Sequence, residues 1–108
     1  MRPSKRTAVL KIDPKRPDKK LIARAAKILR AGGLVAFPTE TVYGLGANLL
    51  DREAIARLYK VKRRPKGKPF TVHIEDASLI KELGCEITKE AKKLAGRYWP
   101  GPLTMILD

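Results

Sequence analysis

One cysteine, one histidine and few aromatic residues (6%) deprive this 108-residue sequence of several kinds of chemistry. The lone thiol, Cys85, cannot close an internal disulfide, in keeping with a reducing compartment, and no partner pattern marks it as a nucleophile. A single His with a single Cys supplies no ligand set for a structural metal. Scarce aromatics and the lack of a known RNA-reading motif argue against base-specific recognition of nucleic acid. No apolar run approaches the roughly 20 residues that span a bilayer, and the amino terminus is too charged for a secretory signal. A cytoplasmic location without membrane contact is the expectation.

Acidic side chains are also scarce: 11 against 24 basic ones, for a net charge of +13. The imbalance is uneven. Residues 1–30 carry a net +9 and residues 51–70 a net +6, while 31–50 and 71–108 are each −1. Two concentrated basic blocks favour phosphates or polyanions as partners, against the plainer reading of a solvated Lys/Arg surface. A hydrophobic content of 44% places the chain among globular sequences, and its length suits one small domain over 1–108 with a modest core.

Along the chain, Thr7 to Ile12 reads as a strand after a basic tail, Met1 to Arg6. Pro14 and Pro17 interrupt it, and Asp18 stands ready to cap a helix over 19–30, whose Ile22, Ala25, Ala26 and Leu29 recur at helical spacing. Gly32 and Gly33 close that helix. A strand over 34–37 and a glycine turn from Tyr43 follow. Asp51 caps a second helix over 52–62, with Ile55, Leu58 and Tyr59 as its apolar stripe. Phe70 to Ile74 reads as a strand, Asp76 and Thr88 cap helices near 77–83 and 89–98, and Leu103 to Leu107 begins another strand. The order β-α-β-α-β-α-α-β predicts an α/β or α+β fold, a twisted mixed sheet covered by helices.

The densest information lies in Leu34-Val-Ala-Phe-Pro-Thr-Glu-Thr-Val-Tyr-Gly-Leu-Gly46. Its apolar start reads as a buried strand that is expected to end or bend at Pro38, which has no N–H for a ladder. Beyond it come three hydroxyls and a carboxylate: Thr39, Glu40, Thr41 and Tyr43. Polar groups delivered from the tip of a buried strand are where α/β folds usually bind ligands. A strand–turn–strand whose glycines serve only geometry is the alternative.

Two further motifs follow in order: Tyr59-Lys-Val-Lys-Arg-Arg-Pro-Lys-Gly-Lys-Pro-Phe-Thr-Val-His-Ile74 and Trp99-Pro-Gly-Pro-Leu-Thr104. Together with the first, they resemble the YrdC-type family of threonylcarbamoyl-adenylate synthases, from about Ile12 to Leu107. The resemblance implies a YrdC-like fold and a reaction joining L-threonine, bicarbonate and ATP, with release of pyrophosphate. The product serves threonylcarbamoylation (t6A) of adenosine 37 in transfer RNAs that read ANN codons, in company with other proteins of that pathway. The family's domain is about twice as long, and its second half carries a Ser-x-Asn motif that completes the nucleotide site. That half is absent here, so a truncated domain is expected, either a fragment or a naturally short relative.

Residue by residue, the resemblance assigns threonine binding to Thr41 and His73, and ATP binding to Lys62 and Arg64. Lys68 stands where many longer members carry an ATP-contacting asparagine, a departure familiar among shorter relatives. Thr39 and Glu40 belong to the first motif and are expected to line the cleft or mainly shape the turn; Tyr43 is open to packing or lining the cleft, Thr104 is expected to point into it, and Trp99 is expected as a packing anchor. Helical spacing independently sets Lys62 on the stripe of Ile55 and Leu58, turned toward the sheet, where a cation wants an anion. Its alternative role is to complement the helix dipole. Alternation in Phe70–Ile74 sets Thr71 and His73 on one face, toward a polar cleft. Mg²⁺ is expected to arrive with ATP, held by phosphates and water, with no protein metal ligand.

Two other readings compete. A double-stranded RNA-binding module without catalysis is suggested by the basic amino-terminal block and by relatives regarded as RNA binders. A carbamoyltransferase-type module ranks third, because hydrogenase-maturation carbamoyltransferases share similar Lys-Arg-Arg-Pro and Lys-Pro-Phe runs. There an acylphosphatase-like region and Cys-rich zinc motifs precede the domain, and neither is seen before this one.

Overall fold

A computed structural model of the chain describes residues 7–107. The basic tail at 1–6 lies outside the described residues. Two compact units divide the chain, one running up to Arg64 and the other from Pro65 onward.

In the first unit, Asp18 starts helix α1 (Lys19–Arg30) by accepting the Lys20 N–H on Oδ1 at 2.8 Å. Its side chain thus satisfies a donor that the first turn would leave orphaned. The helix closes on Gly32, whose φ of +89° is free of Cβ strain only for glycine. Gly32 N–H reaches the Leu29 carbonyl at 3.0 Å and Gly33 N–H the Ile28 carbonyl at 2.8 Å, the paired bonds of a Schellman end.

The chain then forms an antiparallel hairpin, β1 (Val35–Pro38) and β2 (Tyr43–Gly46), with Val35 opposite Gly46 and Pro38 opposite Tyr43. Helix α1 packs on β1. Strand β2 reads Tyr-Gly-Leu-Gly, a weak strand former on propensity alone. The Phe37 ring explains the glycines: a Cβ on Gly46 would stand 2.9 Å from Phe37 Cε1, and one on Gly44 3.3 Å from the same ring. The two glycines form the slot in which this aromatic lies, and the cross-strand contact supplies what their own side chains cannot.

Helix α2 (Arg52–Lys62) is capped by Asp51, whose Oδ1 accepts the Ala54 N–H at 3.1 Å, and it buries Ala54 and Leu58. Burial of a leucine of this kind contributes on the order of 2 kcal/mol.

In the second unit, the short helix α3 (Leu79–Glu82) buries Ile80 and ends at Gly84, with φ +81°. Helix α4 (Lys89–Tyr98) is capped by Thr88, which accepts the Ala91 N–H at 3.1 Å, and it buries Ala91 and Ala95. A turn follows in which Trp99 Nε1 donates to the Leu103 carbonyl at 2.8 Å. Any Cβ on Gly101 would collide with the Tyr98 carbonyl, so this turn requires glycine.

The fold is α+β, and the helices fall where the sequence places them, with α3 shorter than expected and Ser78 rather than Asp76 as its cap residue. The strands differ. The segments 7–12, 70–74 and 103–107 run without strand pairing, whereas Tyr43–Gly46, expected as a turn, is a strand. A strand exists only through its neighbour, and among the described residues only β1 and β2 supply neighbours to each other. The same fact removes the alternation argument for His73. Val72 is 45% exposed and does not share a buried face with Phe70 and Ile74.

Candidate functional site

The hairpin tip holds the first group of expected site residues. Thr39, Glu40, Thr41 and Val42 bridge the paired residues Pro38 and Tyr43. Thr39 organises this loop. Its N–H donates to the Val42 carbonyl at 3.2 Å, its hydroxyl donates to that same oxygen, and its Oγ1 accepts the Thr41 N–H at 3.3 Å. The two threonine hydroxyls stand 3.5 Å apart. Thr41 is thereby held with its side chain exposed beside a second hydroxyl, a pair able to meet a small polar ligand through either donor or acceptor. Glu40 is exposed, and Tyr43 is 76% exposed, so its ring is not packed into a core.

The second group sits at the end of α2. Here the structure corrects the stripe argument: Lys62 is exposed rather than turned under the helix, and Arg64 is the half-buried cation. The reason is that the helix ends at once. Arg63 takes the left-handed conformation, φ 51° and ψ 39°, and is the one non-glycine residue with positive φ among the described residues. Arg63 N–H bonds the Lys60 carbonyl at 3.2 Å and Arg64 N–H the Tyr59 carbonyl at 3.0 Å, so the backbone reverses between Lys62 and Arg64. Arg63 itself is exposed, as the sequence suggests. Lys60 and Lys62 in the last turn also complement the negative end of the helix dipole. Three consecutive cations on a sharp reversal give a guanidinium and an ammonium that can approach one phosphate group from different directions.

The remaining expected residues belong to the second unit. Lys68 N–H closes a tight turn onto the Pro65 carbonyl at 3.0 Å, leaving Lys66, Gly67 and Lys68 exposed. A Cβ on Gly67 would meet nothing within 4 Å, so this glycine is not demanded by close packing. His73 and Thr104 are exposed, each on non-regular chain. Trp99 is half-buried and ties its turn together through the indole N–H, in accord with its role as an anchor. Among the described residues, no cluster of three or more His, Cys, Asp or Glu is placed to hold a metal ion. No helix among the described residues is long and apolar enough to cross a membrane.

Sequence reasoning offered shaping the turn as a role for Thr39, which its bonds to Val42 and Thr41 bear out, but did not foresee the left-handed Arg63. The signal for the first was present: a hydroxyl residue opening a short loop after Pro bonds its own backbone two residues on. For the second there was a weaker one, since Pro65 forces the preceding chain out of the helix.

Residues 27–108 match the family Sua5_yciO_yrdC, which carries the description "Telomere recombination". The threonylcarbamoyl-AMP synthase of Pyrococcus abyssi is 53% identical over 83 residues, which is 77% of this chain and 24% of that protein. That of Bacillus subtilis is 50% identical over 86 residues, 80% of this chain and 25% of the relative. The synthase of Chromobacterium violaceum is 40% identical over 94 residues, 87% of this chain and 49% of that protein. Among solved structures, P. abyssi Sua5 complexed with L-threonine superposes with a TM-score of 0.76 at 49% identity, over 81% of this chain and 26% of that one. The chain thus spans between about a quarter and a half of these curated relatives. With three motifs, a shared fold and a family match over most of its length in agreement, the chain belongs to the Sua5/YciO/YrdC family.

Proposed function

We propose that this chain carries the substrate-binding portion of an L-threonylcarbamoyladenylate synthase, acting on L-threonine, bicarbonate and MgATP. The observation that carries the reading is the hairpin tip, where Thr39 holds Thr41 exposed, within a segment about half identical to proteins of that name. The likeness to a Sua5 structure containing L-threonine supports the same assignment.

In this reading the threonine amine attacks the bicarbonate carbon; the amine gives up a proton, a C–O bond of bicarbonate breaks, water leaves, and an N-carboxylate (carbamate) forms. A carbamate oxygen then attacks the α-phosphorus of ATP, and the bond to the departing pyrophosphate breaks. No protein nucleophile is needed, so the protein acts by positioning and by neutralising phosphate charge. Thr41 and His73 contact threonine; Lys62, Arg64 and Lys68 contact the nucleotide phosphates; Glu40, Tyr43 and Thr104 line the cleft. Mg²⁺ enters with ATP, held by phosphates and water. The product feeds t6A modification of transfer RNA in the cytoplasm.

The test is a chimera in which this chain replaces the homologous segment of the P. abyssi synthase. Pyrophosphate release that requires both threonine and bicarbonate is the expected result. A folded chimera that releases none, or releases it without threonine, contradicts the reading.

A further inference from the structure

The two hydroxyls at the hairpin tip are not equivalent once their protons are counted. A hydroxyl has one hydrogen to donate and two lone pairs with which to accept. The Val42 carbonyl has no hydrogen, so in its bond with Thr39 the Thr39 hydroxyl is the donor, and its only proton is committed there. One lone pair of Thr39 Oγ1 takes the Thr41 N–H at 3.3 Å. The other faces Thr41 Oγ1 at 3.5 Å. Distance alone allows that contact to run either way. With no proton left on Thr39, it runs from Thr41 to Thr39.

The consequence reaches the exposed side of the loop. Its hydrogen turned inward, the Thr41 hydroxyl presents lone pairs to a ligand and no donor. Glu40, exposed in the same loop, adds a carboxylate, which also only accepts. A ligand carboxylate brought to Thr41 would set oxygen against oxygen with no hydrogen between them, and would give up water for nothing. An N–H or O–H of the ligand meets a ready acceptor instead.

We propose that Thr39 is a positioning residue that fixes Thr41 as an acceptor, so that L-threonine approaches the tip by its amine N–H or its hydroxyl and turns its carboxylate away. This rests on the threonine reading of the tip and adds to it the orientation of the substrate. An amine held through its N–H keeps its nitrogen lone pair free to attack bicarbonate.

The experiment uses the chimera with the P. abyssi synthase. The readouts are KM for L-threonine and ATP, and inhibition constants for L-threoninol, which lacks the carboxylate, and L-α-aminobutyrate, which lacks the hydroxyl. Thr41→Val should raise KM for L-threonine and the inhibition constant of L-threoninol by the same factor, about tenfold. A rise for L-threonine alone, or an L-threoninol that does not compete, would set the carboxylate on Thr41 and overturn the proposal. L-α-Aminobutyrate names the donor: the same rise assigns the amine N–H, and no rise assigns the hydroxyl. Thr39→Val should raise KM for L-threonine about tenfold with KM for ATP within about twofold, and Thr39→Ser, which keeps the hydroxyl, should recover the original value to within about twofold. An unchanged KM for L-threonine in Thr39→Val, or a shift in both substrates that Thr39→Ser does not recover, would remove Thr39 from the role. Circular dichroism verifies that each variant is folded. A chimera without threonine-dependent pyrophosphate release fails the threonine reading itself, whereas an active chimera with the wrong pattern fails only the direction of these bonds.

Discussion

Arg57, on α2, donates its guanidinium to the carbonyl of Gly32, the residue that closes α1. The two lie 25 residues apart in sequence, and Asp51 completes the junction. A Cβ on Gly32 would stand 2.9 Å from Asp51 Oδ2 and 3.2 Å from Arg57 Nη2. One buried glycine therefore links the end of one helix to the cap of the next, and the hairpin with Thr41 is the chain between them.

Gly32→Ala should accordingly destabilise the chain by about 2 kcal/mol, from left-handed strain and from displacement of the Asp51 cap. Urea unfolding measures it. A change of less than about 0.5 kcal/mol would mean that the junction relaxes freely.

Thr39 and Thr41 should respond differently to loss of the hydroxyl. Thr39→Val leaves the Thr41 N–H without its hydroxyl acceptor and removes the hydroxyl bond to the Val42 carbonyl, which keeps the Thr39 N–H; it should loosen the tip while costing about 1 kcal/mol of stability. Thr41→Val should leave the tip backbone intact. Amide hydrogen exchange at residues 41–43 distinguishes the two, and equal exchange in both variants would remove Thr39 from its organising role.

Arg63 offers a test of backbone direction. Arg63→Gly fits the left-handed position without a Cβ penalty and should be close to neutral, while Arg63→Val should cost about 1–2 kcal/mol. If valine is tolerated as well as glycine, the reversal between Lys62 and Arg64 is not fixed by this residue.

Asp76 accepts the Ser78 N–H at 2.8 Å, and bonds to the Ser78 backbone and side chain hold its pKa below the ordinary 3.8. A depressed carboxylate stabilises the fold above its unfolded pKa, and that stabilisation fades as pH falls through the folded pKa. The start of α3 should therefore stay ordered at neutral pH and loosen only below about pH 4. Carboxyl NMR titration checks this, and a midpoint above 3.8 would contradict the stated cause.

The helices were legible because their signals are local. Asp18, Asp51 and Thr88 cap as read, and the apolar spacing in α1 and α2 agrees with their spans. Strands depend on partners far along the chain, so Phe70–Ile74 has strand composition yet no ladder here. Tyr43–Gly46 shows the converse: glycines that read as a turn form a strand because Phe37 fills the space above them. The site divides the same way. Thr41 at the loop tip was visible from Pro38 and the hydroxyl cluster, whereas the exposure of Lys62 depended on where α2 stops, which the left-handed Arg63 decides.

The most direct test of the central claim is the separation of substrates between the hairpin tip and the end of α2. In the chimera with the P. abyssi synthase, KM for threonine and for ATP should be measured for Thr41→Ala and Arg64→Ala. The account predicts that Thr41→Ala raises KM for threonine about tenfold with ATP little changed, and that Arg64→Ala does the reverse. Equal shifts in both constants for both variants, in folded protein, would contradict it.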